Sequence, residues 1–235
     1  MKLAPLGLLW LLAVSLAAQN AIPAGTTLPL QLDTGLNAAK LAPGHAVRAT
    51  VMQNIPGTPI RRGAHVLGSV VSVTPSTLVF RFDTVANHGK RFPLVANLRA
   101  LASLLEVEEA QIPEGGADRA LPPDQRSHEQ IGGDIVYPWD GPVARGLDVV
   151  GEPTPYGALA RPTANPPCHG AADGNPRPQA LWLFSTDACG LYGYSNLTID
   201  HFGRTDPVGT IRLSAKSGKL YIRSGSGLLL RVHGS

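Results

Sequence analysis

Leu28, Leu30 and Leu32 alternate with Thr27, Pro29 and Gln31, a period of two that turns one face of a strand toward a core. Pro29 has no N–H, so this strand lies at a sheet edge or leaves its first residues unpaired. A turn at Pro43-Gly44 leads into a second alternating run, Ala46 to Val51. Val66, Gly68, Val70 and Ser72 alternate again, and Leu78 to Phe82 and Phe92 to Ala96 follow. Five or six short strands at this spacing predict a small barrel or sandwich. The spacing of Ile22 to Leu28 recurs at Ile60 to Val66: an Ile, two residues, a Gly, two residues, an aliphatic. Gly in both copies predicts a turn with positive φ or no room for a side chain.

Leu98, Leu101, Leu104 and Leu105 have helical spacing and predict a short helix over about Ala100 to Ala110, with Val95 to Arg99 an alternative strand. Residues 113–179 lose periodicity and are rich in Pro, Gly and Asp; only Ile135 to Tyr137 and Leu147 to Val150 read as strands. A stretch this long without elements signals function or disorder. Strands return from Ala180. Leu181 to Phe184 is apolar on both faces and predicts a central strand. Leu197 to Phe202, Gly209 to Leu213, Leu220 to Arg223 and Leu228 to Val232 follow, with Ser217-Gly218 and Ser224 to Gly227 as hairpin turns. The expected fold is mainly β. A small barrel or sandwich module (19–112) is followed by a loop-rich acidic segment (113–179) and a C-terminal β-meander (180–235).

The first residues have a different logic. Lys2 precedes an almost unbroken apolar run from Leu3 to Leu16, and Ser15-Leu16-Ala17 reads as a cleavage site. Residues 1–18 are thus a signal peptide, shorter in their apolar part than the roughly 20 residues of a spanning helix. An uncleaved anchor is the alternative. No Cys follows the run at once, which argues against a lipoprotein. The mature chain is expected to be exported, to the periplasm, the outer-membrane surface or the medium, and to be soluble or peripherally attached. The chain has 2 cysteines, Cys168 and Cys189, which in an oxidising compartment predict a disulfide worth about 3 kcal/mol. The alternative is a catalytic or metal-binding thiol. Cys168-His169 lacks the second ligand pair of a zinc site.

Charge is distributed by region. Asn20 to Ala100 carries eight basic residues against Asp33 and Asp83, and Leu101 to Asn175 twelve acidic residues against four arginines. From Pro176 onward there are seven basic residues against three acidic ones. Either the acidic middle neutralises two basic sheet regions, or the basic regions present a face to an anionic polymer or lipid. The basic residues are dispersed and do not interleave with aromatics, so no nucleic-acid partner is expected.

The ordered series Ile22-x-Ala24-Gly25-Thr26, Pro29, Leu32, Thr34-Gly35-Leu36-Asn37, Pro43-Gly44, Ala49-x-Val51 and Ile60-x-x-Gly63-Ala64-x-Val66-x-Gly68 resembles the periplasmic β-barrel domain of conjugal-transfer TrbI-type proteins. It covers Ile22 to about Arg99. The resemblance implies a β-barrel. In that family the barrel forms rings in the outer-membrane complex of type IV secretion systems. The family's amino-terminal anchor and proline-rich spacer have no counterpart here, where a signal peptide stands instead. The second half of the family barrel has none after Arg99. The resemblance therefore carries the fold and not the secretory role.

No catalytic pattern is complete. His128-Glu129 lacks the second His of a metalloprotease helix. Asp200-His201 lies near Ser195, but strand neighbours point to opposite faces, and no Gly-x-Ser-x-Gly elbow exists. Ser224 to Gly227 precedes no helix and no Lys-Ser/Thr, so it is a turn and not a phosphate cradle. The 7 histidines are scattered, and no cofactor motif occurs. Asn196-Leu197-Thr198 matches a glycosylation acceptor. Tyr137, Trp139 and Tyr156, with Asp140 and Asp148, form a candidate ligand-binding loop for sugars or peptides, or else pin the loop to the sheet. The reading is a non-enzymatic envelope protein acting through contacts with other proteins, with oligomerisation and peripheral membrane association open. Its rival is a secreted hydrolase or carbohydrate-binding module whose paired carboxylates sit on the acidic loops. A transmembrane barrel is a third possibility, although most strands look shorter than the roughly 9–11 residues that spanning needs.

Overall fold

The computed structural model describes residues 21–111, 129–131, 134–136, 143–145, 148–151, 180–185, 188–200 and 208–233. In chain order the elements are β1 (Thr27–Leu32), β2 (Leu36–Asn37), β3 (Ala46–Val51), β4 (His65–Thr74), β5 (Thr77–Asn87), β6 (Lys90–Pro93), β7 (Ala96–Ala102) and α1 (Leu104–Gln111). Then come β8 (Glu129–Ile131), β9 (Asp134–Val136), β10 (Val143–Arg145), β11 (Asp148–Gly151), β12 (Ala180–Leu181) and β13 (Phe184–Ser185). The last are β14 (Gly190–Tyr192), β15 (Leu197–Asp200), β16 (Thr210–Ala215), β17 (Tyr221–Ile222) and β18 (Gly227–Val232). The chain is mainly β, as its alternation predicts.

One sheet runs β14-β7-β18-β1-β3-β4-β5-β16-β15, with β6 added beside β5. Its two ends, β14 and β15, approach each other, so the sheet is a nearly closed barrel. Curvature comes from β4 and β5, 10 and 11 residues long. Their pairing shifts register between Leu67 and Gly68 and again between Val70 and Ser72. Such bulges add twist and let a long hairpin bend around a core. At Gly68 the bend brings β4 onto the carbonyl of Arg81, where an added Cβ would collide with backbone.

The recurring Ile-x-x-Gly spacing has a shared cause. Pro23 to Thr26 is a β-turn closed by Thr26 N–H donating to Pro23 O at 3.2 Å, with Gly25 at φ 83°. Arg61 to Ala64 is the same turn, Ala64 N–H donating to Arg61 O at 3.0 Å, with Gly63 at φ 86°. Positive φ at the third position defines a type II turn and selects glycine. The Ile before each turn and the aliphatic after it, Leu28 or Val66, are buried.

The interior is filled by side chains. Val47, Ala49 and Val51 on β3, Phe80 and Phe82 on β5, and Leu228 and Leu230 on β18 belong to one buried cluster. Phe80 and Phe82 meet edge to face, with ring centroids 5.8 Å apart. The outward positions carry Arg48 on β3, Arg81 on β5 and Arg212 on β16, all exposed. That is an apolar lumen with a charged outer face, the reverse of what a hydrocarbon-facing barrel requires. A helix long and apolar enough to cross a membrane does not occur among the described residues.

Several expectations change in detail. Pro29 is not at an edge, because β1 lies between β18 and β3. The second alternative holds on one side alone: Thr27 to Pro29 pair with β18, but the β1–β3 register runs only from Leu30 to Leu32. The helix begins at Leu104, later than expected, because Ala100 to Ala102 pair with β14 and β18. Ser103 caps it, its Oγ accepting the N–H of Glu106 at 3.3 Å. Leu181 to Phe184 is not a central strand. Trp182 and Leu183 form the turn of the β12–β13 hairpin, and Trp182 takes a φ of 56°. The run is apolar on both sides because it is buried in a second cluster with Ala100, Ala102, Val107 and Leu229, on the outside of the barrel wall. The C-terminal strands are present, and β15 pairs with β16 as a meander would, but the remaining partners are in the N-terminal half: β16 also pairs with β5, β17 with β2, and β18 with β1 and β7. Within 113–179 the strands at Asp134 and Asp148 are joined by β8 and β10 in a four-stranded antiparallel sheet, order β11-β10-β9-β8.

Candidate functional site

A recess of about 250 Å³ opens where β1 and β3 part. Bonds fix which backbone groups face it. Even-numbered residues of β1 bond toward β18, as when Leu32 N–H donates to Ser226 O at 2.9 Å. Odd-numbered ones bond toward β3: Asp33 N–H reaches Arg48 O at 3.0 Å, and Met52 N–H reaches Pro29 O at 2.9 Å. That last bond ends the ladder, since Pro29 has no N–H to return. Thr27, two residues earlier, therefore turns its N–H and C=O to the β3 side, where no strand among the described residues continues.

The facing wall is the loop after β3. Ile55 to Thr58 is a third type II turn, with Pro56 at its second position, Gly57 at φ 70°, and Thr58 N–H donating to Ile55 O at 3.2 Å. The Thr58 hydroxyl donates to the same carbonyl at 2.9 Å and accepts the N–H of Ile60 at 3.1 Å. Ile55 N–H closes the loop onto Ile60 O at 3.1 Å. Buried Ile55 and Ile60 anchor the loop below, and exposed Pro56 and Gly57 form its lip.

Gln53 lies between the walls. It is 5% exposed and lines the recess, and its Oε1 has no hydrogen-bond partner. A buried acceptor left unpaired costs about 1–3 kcal/mol. Among the described residues the remaining lining comes from the Pro23–Thr27 segment, the loop and Leu181, none of them with an ionisable side chain. Asn97 Oδ1 on β7 is likewise buried and unpaired, but does not line this recess.

The other polar features are structural. Ser226 is fully buried and its Oγ lies 3.1 Å from the Tyr194 hydroxyl. Burial raises the Tyr194 phenol above its ordinary 10.0, opposed in part by that hydrogen bond and by the charge of Arg223. The Ser224 to Ser226 segment is a turn, with Gly225 at φ 84° and its N–H on Leu32 O at 2.8 Å. Asp200 accepts a hydrogen bond from Ser214 Oγ at 3.2 Å, while Ser195 is exposed. No group of three metal-ligating side chains occurs among the described residues.

Of the residues singled out in the sequence, Tyr137, Trp139, Asp140, Tyr156, Cys168, His128, His169 and His201 lie outside the described residues. Asp148 opens β11 opposite Arg145. Cys189, half-buried, precedes β14, and the neighbouring Ala188 O accepts from Arg99 Nε at 3.3 Å. The recess itself was not singled out in the sequence. Its traces there are Pro29, which cannot extend the ladder, and Pro56-Gly57, a turn signal. No family model, curated protein or solved structure matches the chain.

Proposed function

We propose that this chain is an exported cell-envelope protein that works by binding other proteins rather than by catalysis. The observation that carries the reading is the recess at the β1–β3 split. It has a hydrogen-bonded lip, a strand edge that no described strand takes up and a buried carboxamide oxygen without a partner, and none of its described lining residues has an ionisable side chain. Those features suit holding a partner better than general acid–base chemistry. The amino-terminal export signal and the resemblance of Ile22 to Arg99 to the TrbI-type barrel support an envelope location. That family's barrels act as parts of an assembly. In an oxidising compartment Cys168 and Cys189 join as a disulfide.

The test is affinity purification of the tagged full chain from gently solubilised envelopes of its own host. Other envelope proteins recovered in fixed ratio to the chain support the reading. Recovery of the chain alone from the soluble fraction sinks it.

A further inference from the structure

Deepening the reading just given, and resting on it, we infer that the recess receives one short, uncharged, extended peptide segment of a partner protein, which adds as a strand beside Thr27 and donates a main-chain N–H to Gln53 Oε1. Three observations converge on that occupant. The β1–β3 ladder stops at the Met52–Pro29 bond, so the main chain of Thr27 faces the recess with no strand of the described residues beside it. One residue of an extended peptide presents an N–H and a C=O on the same edge, the complement of the pair that Thr27 turns to the recess. Gln53 is buried with its carboxamide oxygen unpaired, and buried polar groups in native proteins find partners. A donor entering the recess supplies the missing one once the carboxamide oxygen, shut off from solvent in the free chain, turns toward it. The described lining contains no ionisable residue, so a charged side chain there would lose its hydration with nothing in return from those residues. About 250 Å³ is below the usual range for a whole small-molecule site, which suits a few residues of a chain whose remainder lies outside.

Pro56 and Ala24 stand exposed on opposite lips, which gives a direct test in the full chain. A photoreactive p-benzoylphenylalanine is placed at position 56, the protein is irradiated in envelopes of its host, and the attached peptide is mapped by mass spectrometry. The expected result is attachment to one discrete uncharged run of another protein. The yield should fall at least tenfold in Gln53→Leu, whose melting temperature matches or exceeds that of the parent. Ala24→Glu is the second variant. It sets a carboxylate at the mouth without touching the core, and should abolish attachment equally. Attachment only to lipid, to glycan or to a second copy of the chain overturns the inference. So does a yield that neither variant changes, or no attachment at all, as when the recess holds only water. If the chain still co-purifies with envelope proteins while position 56 attaches to none, this inference fails and the broader reading stands. If it co-purifies with nothing, both fail.

Discussion

Gly25 and Gly63 occupy equivalent positions in two copies of one device. Gly25 N–H donates to Val232 O and the N–H of Val232 donates to Thr26 O, both at 2.8 Å. Gly63 N–H donates to Val51 O and the N–H of Val51 donates to Ala64 O, also both at 2.8 Å. In each copy a glycine and its successor oppose a single valine on the neighbouring strand, the two-against-one pairing of a glycine bulge following a type II turn. One copy launches β1 off β18, and the other launches β4 off β3. The barrel is thus entered twice by the same turn, and the first entry leaves the strand edge at Thr27 open.

The glycines separate two sources of instability. At Gly63 an added Cβ meets nothing within 4 Å, so only the φ of 86° opposes a side chain. Gly63→Ala should lose about 1–2 kcal/mol, the penalty for a left-handed L-residue. At Gly68 the obstacle is the Arg81 backbone, and Gly68→Ala should cost on the order of 3 kcal/mol by forced displacement of β4 from β5. Urea titrations of the two variants test the order; equal losses would contradict the close approach at Gly68.

Gln53→Leu should leave unfolding stability unchanged or raise it by about 1 kcal/mol, because an unpaired buried acceptor is exchanged for a methyl group. Thermal melts of the purified protein measure this. A loss of several kcal/mol would mean that the Gln53 amide is paired in the free protein.

Alkaline stability should depend on Tyr194. Its phenol ionises above 10.0 in the fold, so from pH 10 upward the unfolded chain releases its proton first and the native state binds more protons. Stability therefore falls as pH rises through 10 until the raised native value is passed. Tyr194→Phe should flatten that limb of a stability–pH curve, while an unchanged limb would place its cause elsewhere.

At the acid end His233 behaves oppositely. Partial burial, then Arg231 nearby, lower its pKa from 6.5, so protonation favours the unfolded chain. Stability contributed by neutral His233 is present above 6.5 and declines as pH falls from there to the lowered native value. His233 is largely exposed, so the effect is small. His233→Gln should remove it from melting curves taken between pH 7 and 5; an identical acid slope would contradict the assignment.

Period two made the strands legible. Ala46 to Val51 is β3 residue for residue, and the repeated Ile-x-x-Gly spacing marked two turns of one kind. Pairing was less legible, because alternation tells which face of a strand is buried and not which strand lies beside it. Leu228, Leu230 and Val232 line the interior whether β18 follows β17 or, as found, sits between β1 and β7. Leu181 to Phe184 misled for a related reason. A short apolar run is the same string whether it crosses a sheet or caps one from outside. Here Leu183 and Trp182 pack where Gly227 has no side chain. The recess left only faint marks in the sequence, Pro29 and Pro56-Gly57, since it is made by the end of a ladder and a carboxamide oxygen without a partner, and neither is a motif.

The measurement closest to the central claim is the size of the native particle that holds this chain in envelopes of its own host, read on native gels with an antibody. Migration far above the 24.7 kDa of the chain, in a membrane-linked fraction, is the predicted result and marks a subunit of an envelope assembly. Migration as a free single chain in the soluble periplasm or the medium would contradict the account.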